Sequence, residues 1–303
     1  MSEYLSPSQA FEAYKLQPRQ NAERSNTERL LENTGIAAIE MPLSAHDFER
    51  LSEGMGVCIE ECPELLAETF YKADSRYGGE VGYVRKEKKV DQRTGLQTDD
   101  PKHYFHFMER ARDYWRNRFA AGPKVLRDFL EDGFEIHDAM IGVAKQTVAE
   151  LENTHPNMSQ LYFPNNESFS FLRLLRYDGY EPYEGMGEVA KPHYDIGGVT
   201  IQAYADAPGF WAAKDGIDGE RRHFDTAPGQ AFAFLGKGHE KVYGKDDSMQ
   251  PLWHGVDRII PAGVTFVPER TAVILFLDAP EVDYHVRKSD TLPQLARTAL
   301  VNA

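Results

Sequence analysis

The stretch AKPHYDIGGVTIQAY, Ala190 to Tyr204, places a histidine and an aspartate two residues apart, just ahead of a run with strand character, Val199 to Tyr204. Residues i and i+2 of a strand point to the same face. His193 and Asp195 would therefore aim an imidazole and a carboxylate at one point, with Tyr194 turned away. Such a pair holds a metal only if a third ligand arrives from elsewhere in the chain. Around the stretch, from Pro164 on, short β-rich runs alternate with Gly and Pro turns: FSFLRLLRY, VTIQAYAD, GFWAA, RRHFDTA, AFAFLG, LWHGVDRII, VTFV and TAVILFL. About eight strands at this spacing predict an antiparallel sandwich or barrel.

The chain before Pro164 has another texture. Residues 8–34 read as polar helix, with Ser25 and Asn26 as N-cap types and Gly35 as a stop. IAAIEMPL is a short strand candidate, and SAHDFERLSEGMGVCIEE and PELLAETFYKAD are helical. Arg76–Thr98 is Gly-rich and basic and reads as a loop. Val125–Leu151 has the spacing of one long helix with a single buried face. The expected layout is α+β, mostly β: an N-terminal helical region, 1–164, packed on a β core with a short tail, 165–303, as one compact unit.

The bulk numbers limit the function classes. With 303 residues, 41% hydrophobic and 27% charged, the chain reads as a soluble globular protein. A net charge of −14 argues against non-specific binding to nucleic acid or an anionic membrane. The N-terminus lacks a basic segment leading into an apolar run, so no signal peptide is expected, and no stretch approaches the length of a membrane span. Two cysteines, Cys58 and Cys62 in CIEEC, fit reduced thiols in a cytoplasmic protein; an i, i+4 redox pair or half a zinc site is the sharper alternative. Oligomeric state is open.

Among the ten histidines, His254 in PLWHGVDRII stands in a strand-like run near the end of the β region. Two histidines and a carboxylate on one face, with open positions opposite, form the facial triad of non-haem Fe(II) sites. Arg270 opens the next apolar strand, RTAVILFLD. A guanidinium there needs a partner. An anionic ligand would serve, because guanidinium forks pair with carboxylates; an ion pair with Glu269 would serve as well.

In this order of parts the sequence resembles the non-haem iron, 2-oxoglutarate-dependent oxygenases of the isopenicillin N synthase-like group. PHYDIGGVTIQAYADAPGFWAA resembles the His-x-Asp strand with its Thr-containing strand and Pro-Gly turn. APGQAFAFLG resembles a Pro-Gly turn into an apolar strand, LWHGVDRI the distal-histidine strand, and RTAVILFLD the strand opened by the 2-oxoglutarate arginine. GYVRKEK and DDPKHYFHF resemble stretches ahead of the family's long helix, so the likeness covers about residues 30 to 280. It implies a double-stranded β-helix (jelly-roll) core with an N-terminal helical layer.

The resemblance also implies an enzyme. His193, Asp195 and His254 would bind Fe(II); Arg270 would take the distal carboxylate of 2-oxoglutarate, with Tyr177 as a hydrogen-bonding neighbour. With O2, such an enzyme oxidises a C–H bond of a small molecule: hydroxylation by default, desaturation or cyclisation otherwise. Tyr83, Arg85, Phe210, Trp211, Trp253 and Phe276 are candidates for the substrate pocket, and no separate acid or base is nominated. His103, His106, His137, His223 and His239 are set aside as structural or exposed. The family usually has Arg-x-Ser and Asn-x-Tyr; here Ala272 and Leu175 replace the Ser and the Asn. Two alternatives stay open: an iron oxygenase of this fold that does not use 2-oxoglutarate, and a non-catalytic β-barrel binding protein. A nucleic-acid demethylase fits the charge poorly.

Overall fold

The strand β14, Arg270–Leu277, sets the architecture because its two faces have different chemistry. Val273, Leu275 and Leu277 belong to the main apolar core, whereas Arg270, Ala272, Ile274 and Phe276 lie on the other face. A computed structural model of the chain describes residues 23–72, 80–87, 89–90, 97–99, 102–166, 168–179, 189–257, 259 and 264–279. The predicted helix over residues 8–22 and the tail after 279 lie outside these.

In chain order the described elements begin with α1 (Asn26–Thr34), β1 (Ile36–Glu40), α2 (Ala45–Glu61) and α3 (Pro63–Ala67). The strands β2 (Tyr71–Lys72), β3 (Glu80–Lys86), β4 (Lys89–Val90), β5 (Gln97–Asp99) and β6 (Lys102–Phe107) come next. Then come the helices α4 (Arg112–Arg118), α5 (Lys124–Leu151) and α6 (Met158–Tyr162). After them lie β7 (Phe171–Tyr177), β8 (Ala190–His193), β9 (Val199–Ala205), β10 (Phe210–Ala213), β11 (Arg222–His223) and β12 (Gln230–Leu235). The series closes with α7 (Lys237–Tyr243), β13 (Trp253–Val256) and β14.

An eight-stranded antiparallel sheet runs β1-β12-β9-β14-β7-β6-β3-β2, and a four-stranded one runs β11-β10-β13-β8. One face of the large sheet packs on the helices. Phe105, Phe107, Leu172, Leu174, Ile201 and Val273 meet the apolar stripes of α2 and α5 there. Burying each such side chain contributes about 2 kcal/mol. Backbone contact is close where α5 crosses β6: a Cβ on Gly133 would stand 2.1 Å from the Phe107 ring.

Several expectations hold. Ser25 caps α1 in a capping box with Glu28, and Gly35 ends it at φ 76°. The helix α5 spans nearly the predicted run. Others need correction. Region 1–164 is not only helical, because β1, β2, β3 and β6 all join the large sheet. The predicted loop Arg76–Thr98 contains β3, paired with β6 from Gly82↔His106 to Lys86↔Lys102. Its glycine and charges hid the alternation: Val81 is buried, and Gly82 sits at φ 85° where a Cβ would meet the Thr69 carbonyl at 2.3 Å. VTFV forms no extended strand, and Ala190–His193 supplies the eighth strand after Pro164 instead.

Candidate active site

His193 is the last residue of β8, and His254 lies opposite it on β13. Asp195 comes two residues on, and Tyr194 turns to the far side against Trp253. The expected same-side geometry of His193 and Asp195 therefore holds at the strand's end. The nitrogen and oxygen atoms of His193, Asp195 and His254 that could ligate a metal all lie within 4.8 Å of one another.

Hydrogen bonds fix which atoms face the centre. His193 Nδ1 donates to the Lys191 carbonyl at 2.7 Å, and His254 Nδ1 donates to the Leu252 carbonyl at 3.0 Å. Both rings therefore turn Nε2 toward Asp195, at 3.5 Å from Oδ1 and 3.8 Å from Oδ2. Thr200 Oγ1 donates to Asp195 Oδ2 at 2.6 Å and holds the carboxylate in place. Burial alone would raise Asp195, but His254, His193 and the Thr200 hydroxyl hold it well below the usual carboxylate range. Burial pushes His254 down to about 4, so at neutral pH it is the uncharged donor a metal needs. The donor set fits a divalent cation that takes two imidazoles and one carboxylate.

Arg270 lies on the same sheet face, paired with Tyr177 of β7 in register. It is 9% exposed, its guanidinium carbon is 5.9 Å from the Tyr177 ring, and its Nε has no hydrogen-bond partner among the described residues. The ion pair with Glu269 that would have explained it does not form. Glu269 instead accepts from Arg176 Nε at 2.8 Å, on the other face. Thr271 also faces away, its hydroxyl 2.8 Å from Ser52 of α2. Ala272 and Leu175 join Tyr104 and Tyr177 in an apolar patch, so no hydroxyl stands where Arg-x-Ser would supply one.

Register separates the six pocket candidates. Phe276 stacks on Phe171 at 5.0 Å, and Phe210 lies 5.8 Å from the His254 ring, both on the site face. Trp211 and Trp253 do not: they form an outer cluster with Ala213 and Tyr194, and Trp211 Nε1 donates to Asp257. In β10 the residue opposite His254 is Ala212, which turns Trp211 outward. Tyr83 and Arg85 are also misplaced. They share the face opposite Gly82 and Val84; Tyr83 bonds His103 and exposed Arg85 pairs with Glu87.

One basic residue of the site face was not among the sequence candidates. Arg173 of β7 stands opposite Ile274 and His106. Its Nε donates to His106 Nε2 at 2.7 Å, and His106 Nδ1 donates in turn to the Glu80 carbonyl. The guanidinium lies 4.7 Å from the Phe276 ring centre and has no ion pair to a described carboxylate. Its charge is close enough to Asp195 for the two to attract. Counting by twos from Tyr177, through Leu175, reaches Arg173.

No family model matches the sequence, and no curated protein matches it. Solved structures do match over nearly the whole chain. A full-length protein from Neurospora crassa, in complex with alpha-KG, superposes with a TM-score of 0.65 at 13% identity, covering 97% of this chain and 91% of that one. The same protein has been solved with thymine. A protein from Caulobacter crescentus described as 2OG-Fe(II) oxygenase family gives a TM-score of 0.61 at 16% identity, over 90% and 92%. Dioxygenase for auxin oxidation 1 from Arabidopsis thaliana, with 2-oxoglutarate, gives 0.58 at 15%, over 92% and 91%. This chain has the fold shared by a 2OG-Fe(II) oxygenase family protein and a dioxygenase for auxin oxidation.

Proposed function

We propose that this chain is an Fe(II)- and 2-oxoglutarate-dependent oxygenase that oxidises a C–H bond of a small molecule, with hydroxylation as the default outcome. The carrying observation is the pair of imidazoles whose Nε2 atoms are both turned, by Nδ1 bonds to backbone carbonyls, toward an ionised, buried Asp195. Arg270, buried with its Nε unpartnered among the described residues, supports a carboxylate-bearing cosubstrate. In this reading the two sheets are the halves of a double-stranded β-helix, and regions 1–164 and 165–303 work as one unit in the cytoplasm.

When bound, iron and 2-oxoglutarate supply the oxygen activation and hydrogen abstraction, with succinate and CO2 as by-products. His193, Asp195 and His254 would hold the metal through two imidazoles and one carboxylate. Thr200 orients the Asp195 carboxylate. Arg270, beside Tyr177, takes the distal carboxylate of the cosubstrate without help from the residue at 272. The wall formed by Phe171, Arg173 and Phe276 suits a flat or anionic small molecule: two rings give apolar contact and the guanidinium an anchor. Arg173 takes the part expected of Arg85.

A second reading has support in Ala272 and Leu175, which remove polar partners for the cosubstrate. It is an iron oxygenase that does not consume 2-oxoglutarate. Anaerobic visible spectroscopy separates the two. Fe(II) followed by 2-oxoglutarate should give a weak charge-transfer band that needs both additions and disappears in Arg270→Ala. Tight iron binding with no band favours the second reading, and absence of iron binding removes both.

A further inference from the structure

A second cluster of the same residue types lies outside the candidate active site. His155 comes just after α5, His239 is in α7, and Asp247 lies on the segment leading to β13. Their ligand atoms lie within 4.8 Å of one another, and their side chains are at most 2% exposed. We propose that His155, His239 and Asp247 form a buried structural site for a divalent transition metal of the zinc class, independent of the function proposed above.

Hydrogen-bond accounting leads there. Thr154 Oγ1 donates to Glu28 Oε1 at 2.5 Å, and that carboxylate also accepts from the Thr154 and Ser25 backbone N–H groups. With its proton committed, the Thr154 hydroxyl oxygen accepts from His155 Nδ1 at 2.8 Å. His155 Nε2 then turns its remaining site to Asp247 Oδ2, 2.7 Å away. A lone pair facing a carboxylate at that distance needs a positive charge between them, either a proton or a metal ion. His239 decides between the two. Its ring is fully buried, and neither nitrogen has a hydrogen-bond partner among the described residues. Its Nε2 stands 3.6 Å from the same Asp247 oxygen, too far for a hydrogen bond. A proton on His155 leaves both nitrogens of His239 without a partner among the described residues, whereas a metal engages one of them.

The spacing is suitable. Two ligands each about 2 Å from a tetrahedral ion lie roughly 3.3 Å apart, between the two separations to Asp247. Asp247 Oδ1 accepts from Met249 N at 2.8 Å, which fixes the carboxylate, and Tyr243 packs its ring 4.7 and 4.8 Å from the two imidazoles. The other described group of this kind, Glu109, His137 and Asp138, already holds a cation, because Arg112 bridges its two acids.

The site would brace the candidate active site. The first turn of α7 donates to the loop carrying Asp195: Lys237 N to the Asp195 carbonyl at 2.8 Å, Gly238 N to that of Gly197 at 2.9 Å. A metal on His239 would pin that turn to the end of α5 and to the chain leading to His254.

The test uses the full chain carrying His193→Ala and His254→Ala, which removes the first candidate site. After chelation, zinc chloride alone is added, and bound zinc per chain and the thermal midpoint are measured. This variant should retain one zinc and melt several degrees higher with it. Adding Asp247→Asn or His239→Phe should abolish both effects, and cobalt(II) should give a tetrahedral visible spectrum only where zinc is retained. Asp247→Asn preserves shape and keeps the comparison readable if His239→Phe does not fold. No zinc on the starting variant, or equal zinc with and without Asp247→Asn, overturns the proposal and leaves the His155–Asp247 contact to a proton.

Discussion

Two clusters in this molecule use two histidines and one aspartate each, and they differ in access. His193 has a side chain 40% exposed, whereas the side chains of His155, His239 and Asp247 are at most 2% exposed. In the first cluster both rings are set by backbone carbonyls and both Nε2 atoms face a common carboxylate at 3.5 to 3.8 Å. In the second, one imidazole already touches the carboxylate and the other stands without partners among the described residues. The same side chains can thus serve turnover or bracing. What separates the two is access to solvent, together with two arginines on the adjoining wall. Arg270 and Arg173 stand on the sheet face that the first cluster meets, while the second is closed over by Tyr243.

The comparison breaks most directly at His254. His254→Ala should lower iron-dependent succinate release by more than about 100-fold with unchanged far-ultraviolet circular dichroism. Turnover within a few-fold of wild type would remove this cluster from the chemistry. At Arg270, replacement by Leu should raise the KM for 2-oxoglutarate about 100-fold and leave that for the substrate unmoved, because the loss falls on one carboxylate.

Asp247→Asn should act on stability instead, lowering it by about 2 kcal/mol at pH 7 in denaturant titrations. The pH dependence has a definite sign. Burial would raise Asp247, but the hydrogen bond from His155, the nearby His239 ring and the Met249 backbone N–H hold it well below the usual carboxylate range. Its contribution is therefore present above the unfolded pKa and lost as pH falls through the folded value. The gap between wild type and Asp247→Asn should narrow below about pH 4; a constant gap would mean that the carboxylate is not ionised in the fold.

Smaller still, Arg173→Leu should raise the KM of the small-molecule substrate by about 10-fold with 2-oxoglutarate unaffected. An equal effect on both would place Arg173 on the cosubstrate. The smallest effect belongs to the cysteines. Cys58 and Cys62 are free and buried, and burial with the neighbouring Cys62 pushes the Cys58 thiol far up. Native protein should resist thiol-directed alkylation at pH 8, where unfolded protein reacts at both positions.

How far the sequence carried depended on whether a periodicity was present to read. His193, Asp195, His254 and Arg270 lie on strands or just past a strand end, where the period of two fixes the face from the chain alone. The same rule, extended from Tyr177, reaches Arg173, and applied to Ala212–Trp253 it would have turned both tryptophans outward once His254 faced in. The strand β3 does not announce itself, because Gly82 and three charged residues within Glu80–Lys86 interrupt its alternation. Nothing local marks the second cluster. Its members come from the end of a helix, a short helix and a turn, and only the folded chain sets His239 beside Asp247.

The position of β14 has a consequence for how the protein is made. It is the last described strand in the chain, yet it lies between β9 and β7 near the middle of the large sheet. Until the ribosome has released it, β1-β12-β9 and β7-β6-β3-β2 are two separate ribbons, each with an unsatisfied inner edge. Such edges invite pairing between nascent chains. A chain halted before residue 270 would be adhesive, and the arginine that opens β14 comes into position only as the two ribbons are joined.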